Sequence, residues 1–273
     1  MKATLLYLHT LAPLHVGVGQ SGDIVDLPVA REKATAWPVV PGSGFKGALR
    51  SLAGDDADRL FGQIDASGAV AVTDLRLLLL PVRSFYGAVA WVTCPLALGR
   101  WDRDAAALGL SVGIDKPRLA VADDAALVAQ GSAVAGTLDE ARKLVLEDLD
   151  LAAKDDPDVA KLGETLGAAV GVGHLAKHLA VVSDTLFSFL AESALEVSAH
   201  VRLEDDRKTV AKGALWYEEA VPAEAVFYGF AVPLRSEEQT AAGFRSLVEK
   251  NPTIFVGGNT TTGMGLCRVW VAS

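Results

Sequence analysis

Two strand–helix pairs, one near each end of this 273-residue chain, limit its fold more than any other feature. The first pair is a short apolar strand, Ala3–Thr10, and a helix with Ser43 at its N-cap position. The second pair is the apolar strand Val226–Pro233 and a helix that the capping box Ser236–Gln239 opens. One further strand, Leu266–Val271, follows that helix. This order predicts a single α+β core that both ends of the chain share.

The region between the two pairs has clear strands first and weaker signals afterwards. Val70–Pro81 and Gly87–Pro95 are strand-like, and the second is almost wholly apolar, as central strands are. Residues 97–136 are rich in loop signals and show little periodicity. Asp156-Pro157 then places an N-cap residue before a proline, which predicts the start of a helix.

A long hairpin is predicted over Ser198–Tyr217, which alternates around a polar turn at residues 204–208. The chain therefore reads as one elaborated domain with a ferredoxin-like, RRM-like core, mainly residues 1–96 and 220–273. Residues 97–197 form an inserted region with a helical segment, and the hairpin at about 198–217 projects from the core.

The charge of the chain is unevenly distributed. A net charge of −9 argues at first against a nucleic-acid partner. However, residues 101–165 hold fourteen acidic and seven basic residues, so this segment accounts for −7 of the −9. The remainder is nearly neutral and carries a basic cluster: Arg31, Lys33, Lys46 and Arg50. The sign of the net charge therefore does not decide whether the protein binds nucleic acid.

Two isolated cysteines, Cys94 and Cys267, lack the spacing of metal ligands. We expect them to be small buried thiols in a reducing cytosol. No apolar run approaches the roughly 18–20 residues of a membrane span, and the start of the chain lacks a signal-peptide cleavage region. These features predict a cytoplasmic protein that does not bind membranes.

Two familiar phosphate-binding patterns fail on closer reading. Gly17–Gly22 matches G-x-G-x-x-G after a strand, but a dinucleotide site needs a helix directly after the glycines. Asp23–Pro28 follows instead and has no helical character. Gly42–Arg50 lacks the G-K-[ST] of a P-loop, so ATP hydrolysis is not expected.

Two other glycine-rich segments are candidate anion sites. Gly42-Ser43-Gly44 precedes a helix, where small residues let a phosphate approach free amides, and Lys46 lies in the first turn. Gly257–Gly265 permits positive φ and offers short donors from an asparagine and three threonines. The alternatives are an ordinary capped helix with a solvated lysine and an ordinary hairpin turn.

Single polar residues near these segments also suggest chemistry. Asp26 is a lone carboxylate in an extended loop, where surface residues are more common than catalysts. His15 follows the first strand, and a lone histidine is usually structural. Trp216-Tyr-Glu-Glu219 offers a stacking ring and two carboxylates, but a hairpin edge explains it equally well.

Several segments together resemble the repeat-associated mysterious protein (RAMP) superfamily. The likeness runs from about residue 5 to 271, is weakest over 97–175, and is most similar to the repeated backbone subunit of type III-B CRISPR effectors, the Cmr complex. The segments that carry it are Val16–Gln20, Val25–Glu32, Pro38–Arg50, Val72–Ser84, Ala90–Pro95, Gly213–Glu219 and Gly257–Gly265.

The resemblance implies a palm domain with a projecting β-hairpin thumb, and a protein that stacks with other copies of itself along a CRISPR RNA (crRNA). It implies that other Cmr subunits are partners and that thumbs displace nucleotides of the guide–target duplex. Complementary single-stranded target RNA is then cleaved beside each displaced nucleotide. The implied reaction is attack of a ribose 2′-OH on the adjacent phosphate, supported by a divalent ion, Mg²⁺ or Mn²⁺.

The family's loop aspartate matches Asp26, which is therefore predicted to be both catalytic and a metal ligand. A further family glutamate matches Glu218 or Glu219, and the sequence does not separate the two. The residues and the resemblance together predict these RNA contacts: His15, Arg31, Ser43, Gly44, Lys46, Arg50, Tyr217, Gly257, Gly258, Asn259, Thr260, Thr261, Thr262 and Gly263. Guide contacts of this kind are independent of base sequence.

Two alternative functions stay open at this point. One is a catalytically silent crRNA-binding subunit of the same superfamily, which would lack a cleaving role for Asp26. The other is a stand-alone endoribonuclease that processes crRNA, an activity that usually depends on a histidine-centred acid/base site.

Overall fold

A large mixed sheet organises the chain in the computed structural model, which describes residues 3–21, 24–112, 119–204, 210–234 and 238–272. The strands of the chain are β1 (Thr4–Thr10), β2 (Val39–Val40), β3 (Gly62–Gln63), β4 (Ala66–Ser67), β5 (Val70–Val72), β6 (Leu75–Ser84), β7 (Ala88–Thr93), β8 (Ala125–Val128), β9 (Ala135–Leu138), β10 (Ala141–Leu146), β11 (Leu149–Asp155), β12 (Leu179–Val182), β13 (Glu196–Leu203), β14 (Val210–Ala220), β15 (Val226–Pro233), β16 (Thr253–Phe255) and β17 (Leu266–Val271), of which β3–β4 and β13–β14 form separate two-stranded sheets. Its helices are α1 (Gly42–Leu52), α2 (Ala57–Phe61), α3 (Pro95–Ala107), α4 (Pro157–Val170), α5 (Leu175–His178), α6 (Asp184–Ser193) and α7 (Glu238–Lys250).

Four strands lie side by side in one half of the large sheet, in the order β17-β1-β15-β6, with β16 outside β17. All three neighbouring pairs are antiparallel, and Tyr7 of β1 lies between Tyr228 of β15 and Trp270 of β17. Helix α1 lies between β1 and β6 in sequence, and α7 lies between β15 and β17. The predicted α+β character is confirmed, and the strands predicted at Val226–Pro233 and Leu266–Val271 have those bounds.

Apolar side chains cover both faces of this sheet. On one face Phe45 and Leu49 of α1 and Phe244 and Val248 of α7 join one buried cluster. A second cluster includes residues of α3 and α4 together with Tyr7. Each fully buried side chain of this size contributes about 1.5–3 kcal/mol, so the two layers hold the sheet rigidly. Leu52, the last residue of α1, is exposed.

The inserted region is more ordered than its sequence indicates. Its first part, residues 97–136, is predicted to be mainly loop, but α3 fills Pro95–Ala107, and β8 and β9 follow it. The Sγ of Cys94 caps α3 by accepting from the Ala97 amide. The only large buried side chains of α3 are Leu98 and Trp101, because its other two buried residues, Ala97 and Ala105, are alanines and the rest are partly or fully exposed. The formation of α3 therefore depends on burial in the folded protein more than on a local sequence pattern.

The predicted hairpin is confirmed: β13 and β14 pair antiparallel, from Glu196 opposite Ala220 at its base to Leu203 opposite Val210. Its polar turn, residues 205–208, lies outside the described residues, as do Gly22, Asp23 and the capping residue Ser236. The α4 start is confirmed, since Asp156 accepts from the Asp158 amide and Pro157 opens the helix. In the described part of the chain, no helix combines the length and apolar character needed to cross a bilayer.

Candidate nucleic-acid interface

Three segments that are distant in sequence lie side by side at the base of the β13–β14 hairpin. Leu14 and Val221 exchange two main-chain hydrogen bonds, of 2.8 and 2.9 Å. Leu27 donates to the Tyr217 carbonyl, and the Glu219 amide donates to the Leu27 carbonyl, both at 3.0 Å. These bonds align the turn after β1 and the loop before β2 with the end of β14.

His15 lies at the centre of this arrangement and is buried. Its Nδ1 is 2.7 Å from the main-chain carbonyl of Glu219. Because a carbonyl only accepts, Nδ1 carries the proton, and Nε2 of the neutral ring keeps its lone pair. Nε2 faces Gly17, where a Cβ would lie only 2.5 Å from it. A glycine is therefore required at position 17, and it leaves this edge of the imidazole beside an exposed loop.

The C-terminal glycine-rich turn packs against the same histidine. The Gly258 amide donates to the His15 carbonyl at 2.9 Å. Gly257 has a φ of 83°, and a Cβ there would lie 2.2 Å from that carbonyl oxygen, so only glycine fits. The rejected dinucleotide-like segment at Gly17 and the predicted anion site at Gly257–Gly265 thus meet at His15.

The tip of this turn is a short 3-10 segment, Thr260–Thr262, between Asn259 and Gly263, which both have a left-handed conformation. The hydroxyl of Thr262 donates to the Asn259 carbonyl at 2.8 Å. Thr261 and Gly263 are exposed. The turn therefore presents amides and short hydroxyls at the surface, as its sequence predicts.

The geometry separates the two glutamates that the sequence left equivalent. The side chain of Glu218 is 3% exposed, and its Oε1 accepts a hydrogen bond from the side-chain amide nitrogen Nδ2 of Asn259. The same oxygen lies 3.5 Å from Nδ1 of His15. Glu218 therefore faces the histidine and the glycine-rich turn.

Glu219 faces the opposite way, into the Asp26-bearing loop. Its Oε1 accepts from Arg31 at 2.6 Å and its Oε2 from the Val29 amide at 3.0 Å. Arg31 also donates to the carbonyls of Ala36 and Ala191. This places Arg31 and Glu219 in a network that positions the loop, while direct RNA contact by Arg31 stays a prediction.

Asp26 lies on this loop and is partly exposed. Its Oδ2 accepts from the Tyr217 amide at 2.8 Å, and its own carbonyl accepts from the Ser21 amide at 2.8 Å. The carboxylate is thus held beside β14, one residue before Leu27 pairs with Glu218. Tyr217 is 42% exposed, so its ring is accessible next to Asp26.

A second ion pair, between Glu32 and Arg100, fixes the end of the loop that is nearer to β2. Burial opposes the charge on Glu32, but hydrogen bonds from Arg100 and Thr35 and the nearby charges of Arg100 and Arg76 outweigh it and lower the pKa of Glu32. Arg100 itself lies over the ring of Trp37, 5.7 Å from its centroid. Two neighbouring ion pairs, at Arg31 and Glu32, therefore fix the chain a few residues after Asp26.

The start of α1 differs from its prediction. Pro41, not Ser43, occupies the N-cap position, and no side chain of the N-cap residue caps the helix. The Gly42 amide donates instead to Oδ1 of Asp74 at 2.8 Å, so a carboxylate already occupies the first free amide. Sequence reasoning missed Asp74, because it is 32 residues away and no local pattern marks it.

The remaining predicted residues of α1 divide into two groups. Ser43 and Gly44 are exposed, and a Cβ on Gly44 would contact Val16 at 3.9 Å, which joins this helix start to the other segments. Lys46 and Ser43 line a cavity of about 660 Å³ that also includes Gln63. Arg50 points away from it and donates to the carbonyls of Gly62 and Ala57 and to Asp58. Arg50 therefore stabilises the α1–α2 connection.

A histidine that the sequence did not single out lies on the same face of the hairpin as Glu218. His200 stacks on Trp216, with ring centroids 5.5 Å apart and planes 15° apart. Its Nε2 lies 3.9 Å from Oε2 of Glu218. The feature that could have identified His200 is the register of the hairpin, in which His200 is the cross-strand partner of Trp216.

The predicted metal site has few protein ligands. Among the residues that the structure describes, no three His, Cys, Asp or Glu side chains form a cluster that would hold a metal ion. Asp26 supplies one partly exposed carboxylate, a hard oxygen donor of the type that Mg²⁺ and Mn²⁺ accept. The donor set thus fits only an open site, in which water and RNA phosphate complete the coordination.

Comparisons with known proteins agree with this arrangement. The RAMP superfamily model matches residues 7–268. The chain is 32% identical to the CRISPR system Cmr endoribonuclease Cmr4 of Pyrococcus furiosus, over 98% of this chain and 95% of that protein. The crystal structure of oligomeric Cmr4 from Pyrococcus furiosus is similar with a TM-score of 0.77 and 27% identity, covering 100% of this chain and 98% of that one.

A chain of the type III-B Cmr-β complex bound to cognate target RNA has a TM-score of 0.78 over 98% of this chain and 96% of that one. Its identity is 18%, so it supports the fold alone.

Proposed function

This chain belongs to the RAMP superfamily, within the family of Cmr4, and from that premise we propose that it is a crRNA-binding backbone subunit that cleaves guide-paired target RNA. The observation that carries the proposal is that Asp26, His15 and Glu218 lie around the end of β14, where they contact the Gly17–Ser21 segment and the turn at Gly257–Gly265. A relative that matches almost its whole length is a Cmr endoribonuclease, which supports the same activity here.

We assign the four neighbouring strands β17, β1, β15 and β6, with α1 and α7, to a ferredoxin-like palm. The order β17-β1-β15-β6, with a helix in each half, is the βαββαβ arrangement of that fold. The β13–β14 hairpin is then the thumb, since β13 and β14 pair only with each other among the described strands. In this proposal copies of the chain stack along the crRNA with other Cmr subunits.

The guide is held mainly by groups that do not distinguish bases. The exposed glycine-rich turn offers amides and threonine hydroxyls, and Lys46 adds a positive charge beside the exposed Ser43 and Gly44. Such donors bind phosphate and ribose oxygens in any sequence. A subunit that repeats along a guide requires this kind of recognition.

We propose that a target-strand 2′-OH attacks the phosphorus on its 3′ side. The new bond joins the 2′ oxygen to phosphorus, the bond to the 5′ oxygen of the next nucleotide breaks, and that oxygen takes up a proton from water. A 2′,3′-cyclic phosphate and a 5′-OH remain. Nε2 of His15 has the free lone pair to accept the 2′-OH proton, because Nδ1 donates to Glu219. Glu218, 3.5 Å from Nδ1, stabilises the resulting imidazolium.

Asp26 contributes a second carboxylate, which lies beside the main chain of Tyr217 on β14. If a divalent ion is bound there, Asp26 is its protein ligand and the ion neutralises charge on the phosphate. The Tyr217 amide fixes the orientation of the carboxylate, and the Arg31–Glu219 ion pair holds the following part of the loop against β14. Asp26 is thus oriented before RNA binds, which lowers the cost of organising the site.

Replacing Asp26 tests the proposal directly. In a complex reconstituted with guide RNA, Asp26→Ala is expected to reduce target cleavage at least 100-fold while guide and target affinities stay within about twofold. Asp123→Ala, at an exposed turn position, is the matched control and should cut at the wild-type rate. Wild-type cleavage by the Asp26 variant would contradict the proposal and favour a silent backbone subunit. Loss of assembly would assign Asp26 a structural role instead.

A further inference from the structure

The imidazole of His200 is oriented in an unusual way on the hairpin. The side chain as a whole is 36% exposed, yet its Nε2 atom is buried and has no hydrogen-bond partner among the described residues. The outer edge of the ring therefore faces solvent, whereas the Nε2 edge points inwards. A buried donor without a partner costs free energy, so such an atom in a folded protein calls for an explanation.

The group that Nε2 faces is the carboxylate of Glu218, at 3.9 Å from its Oε2. Glu218 is buried, and a buried carboxylate needs hydrogen bonds to both oxygens. Asn259 donates to Oε1, while Oε2 has only His200 within salt-bridge distance among the described residues. A ring rotation that shortens the gap by about 1 Å would make the hydrogen bond and satisfy both groups.

We propose that His200 is a positioning residue, which donates from Nε2 to Oε2 of Glu218 and so holds that carboxylate towards His15. The inference rests on the proposed function, because its consequence is a faster cleavage step. With Oε1 held by Asn259 and Oε2 by His200, Glu218 keeps one orientation beside Nδ1 of His15. Without the second bond the carboxylate rotates and supports the imidazolium less well.

The competing role for His200 is packing alone, since its ring stacks on Trp216. Two substitutions separate the roles. His200→Gln places an amide NH₂ where Nε2 was, and His200→Asn places one nearer to the Nδ1 position. Both remove the ring, so both lose the stacking equally, and only the glutamine keeps a donor within reach of Glu218.

The experiment measures single-turnover cleavage at saturating target RNA, with target affinity measured separately. We expect His200→Asn to cut about tenfold more slowly or worse, and His200→Gln to stay within about threefold of wild type. Target affinity should be unchanged in both. His174→Ala, an exposed histidine on another element, is the control and should cut normally.

Equal rates for the two variants, or loss of guide binding in both, would overturn the proposal, because packing would then explain His200. A second readout needs no cleavage: the ¹⁵N resonances of the His15 ring should shift in the Asn variant and not in the Gln variant. If Asp26→Ala cuts normally, the proposed function fails, but the resonance comparison still decides the role of His200.

Discussion

His15 donates a hydrogen bond from Nδ1 to the main-chain carbonyl of Glu219 over 2.7 Å. The bond joins the turn after the first strand to the end of β14, across 204 residues of sequence. It also determines the tautomer, so that the basic nitrogen of a neutral ring faces Gly17 and the exposed loop. One contact therefore both connects the segment after β1 to the hairpin and fixes which imidazole nitrogen can accept a proton.

The two neighbouring glutamates should respond differently to the same substitution. Glu218→Gln removes the charge beside His15 and is expected to slow target cleavage about tenfold or more, with stability nearly unchanged. Glu219→Gln breaks a largely buried pair with Arg31 and should lower the free energy of unfolding by about 2 kcal/mol. Urea denaturation and single-turnover cleavage of both variants check this. Equal effects on both measurements would contradict the division of roles.

Lys46 is expected to bind a phosphate of the guide. Lys46→Glu should weaken RNA binding and reduce the slope of log K against log salt, by about 0.7 for each phosphate that is no longer neutralised. Filter binding at several salt concentrations measures both quantities. Lys154→Glu, an exposed lysine in the acidic segment, makes the same charge change and should have little effect. An unchanged slope for the Lys46 variant would show that this residue does not bind the RNA backbone.

Asp74 should stabilise α1 from outside the helix. Its carboxylate accepts from the Gly42 amide, in the role that an N-cap side chain usually fills. We expect Asp74→Ala to lower the free energy of unfolding by about 1 kcal/mol and Asp74→Asn to lower it less, because the amide oxygen still accepts. Chemical denaturation measures the difference. Identical decreases for the two variants would show that the hydrogen bond is not responsible.

Alkaline pH should destabilise the fold. Burial raises the pKa of the Cys267 thiol from 9.0 to about 12, and it also raises the pKa of Cys94, Tyr7 and Tyr228. Above pH 9 the unfolded chain releases protons that the folded protein keeps. The free energy of unfolding therefore falls as pH rises from about 9 towards 12, by up to about 1.4 kcal/mol per pH unit for each group.

Urea denaturation from pH 8 to pH 10.5 measures this slope. The variant Cys267→Ala removes one titrating group and should show a shallower fall. A slope that is the same in both proteins would contradict the assignment of Cys267 as a contributor.

Much of the fold is accessible from local sequence patterns. The strands at Val226–Pro233 and Leu266–Val271 and the helix start at Asp156-Pro157 follow from apolar runs and capping residues. Helix α3 escapes such patterns because its few buried side chains are spaced among alanines and charges, where burial outweighs local propensity. The predicted N-cap of α1 is wrong because Asp74, a distant residue, satisfies the first amide.

The sequence by itself determined the strands and helices near the two ends of the chain, the glycine-rich turn at Gly257–Gly265, and the lone carboxylate Asp26, because turn and capping chemistry acts over a few residues. Only the tertiary structure decided that Glu218 faces His15 while Glu219 faces Arg31, and that His200 lies beside Glu218. Adjacent strand residues point to opposite faces, and which face meets the glycine-rich turn depends on pairing between segments far apart in the chain.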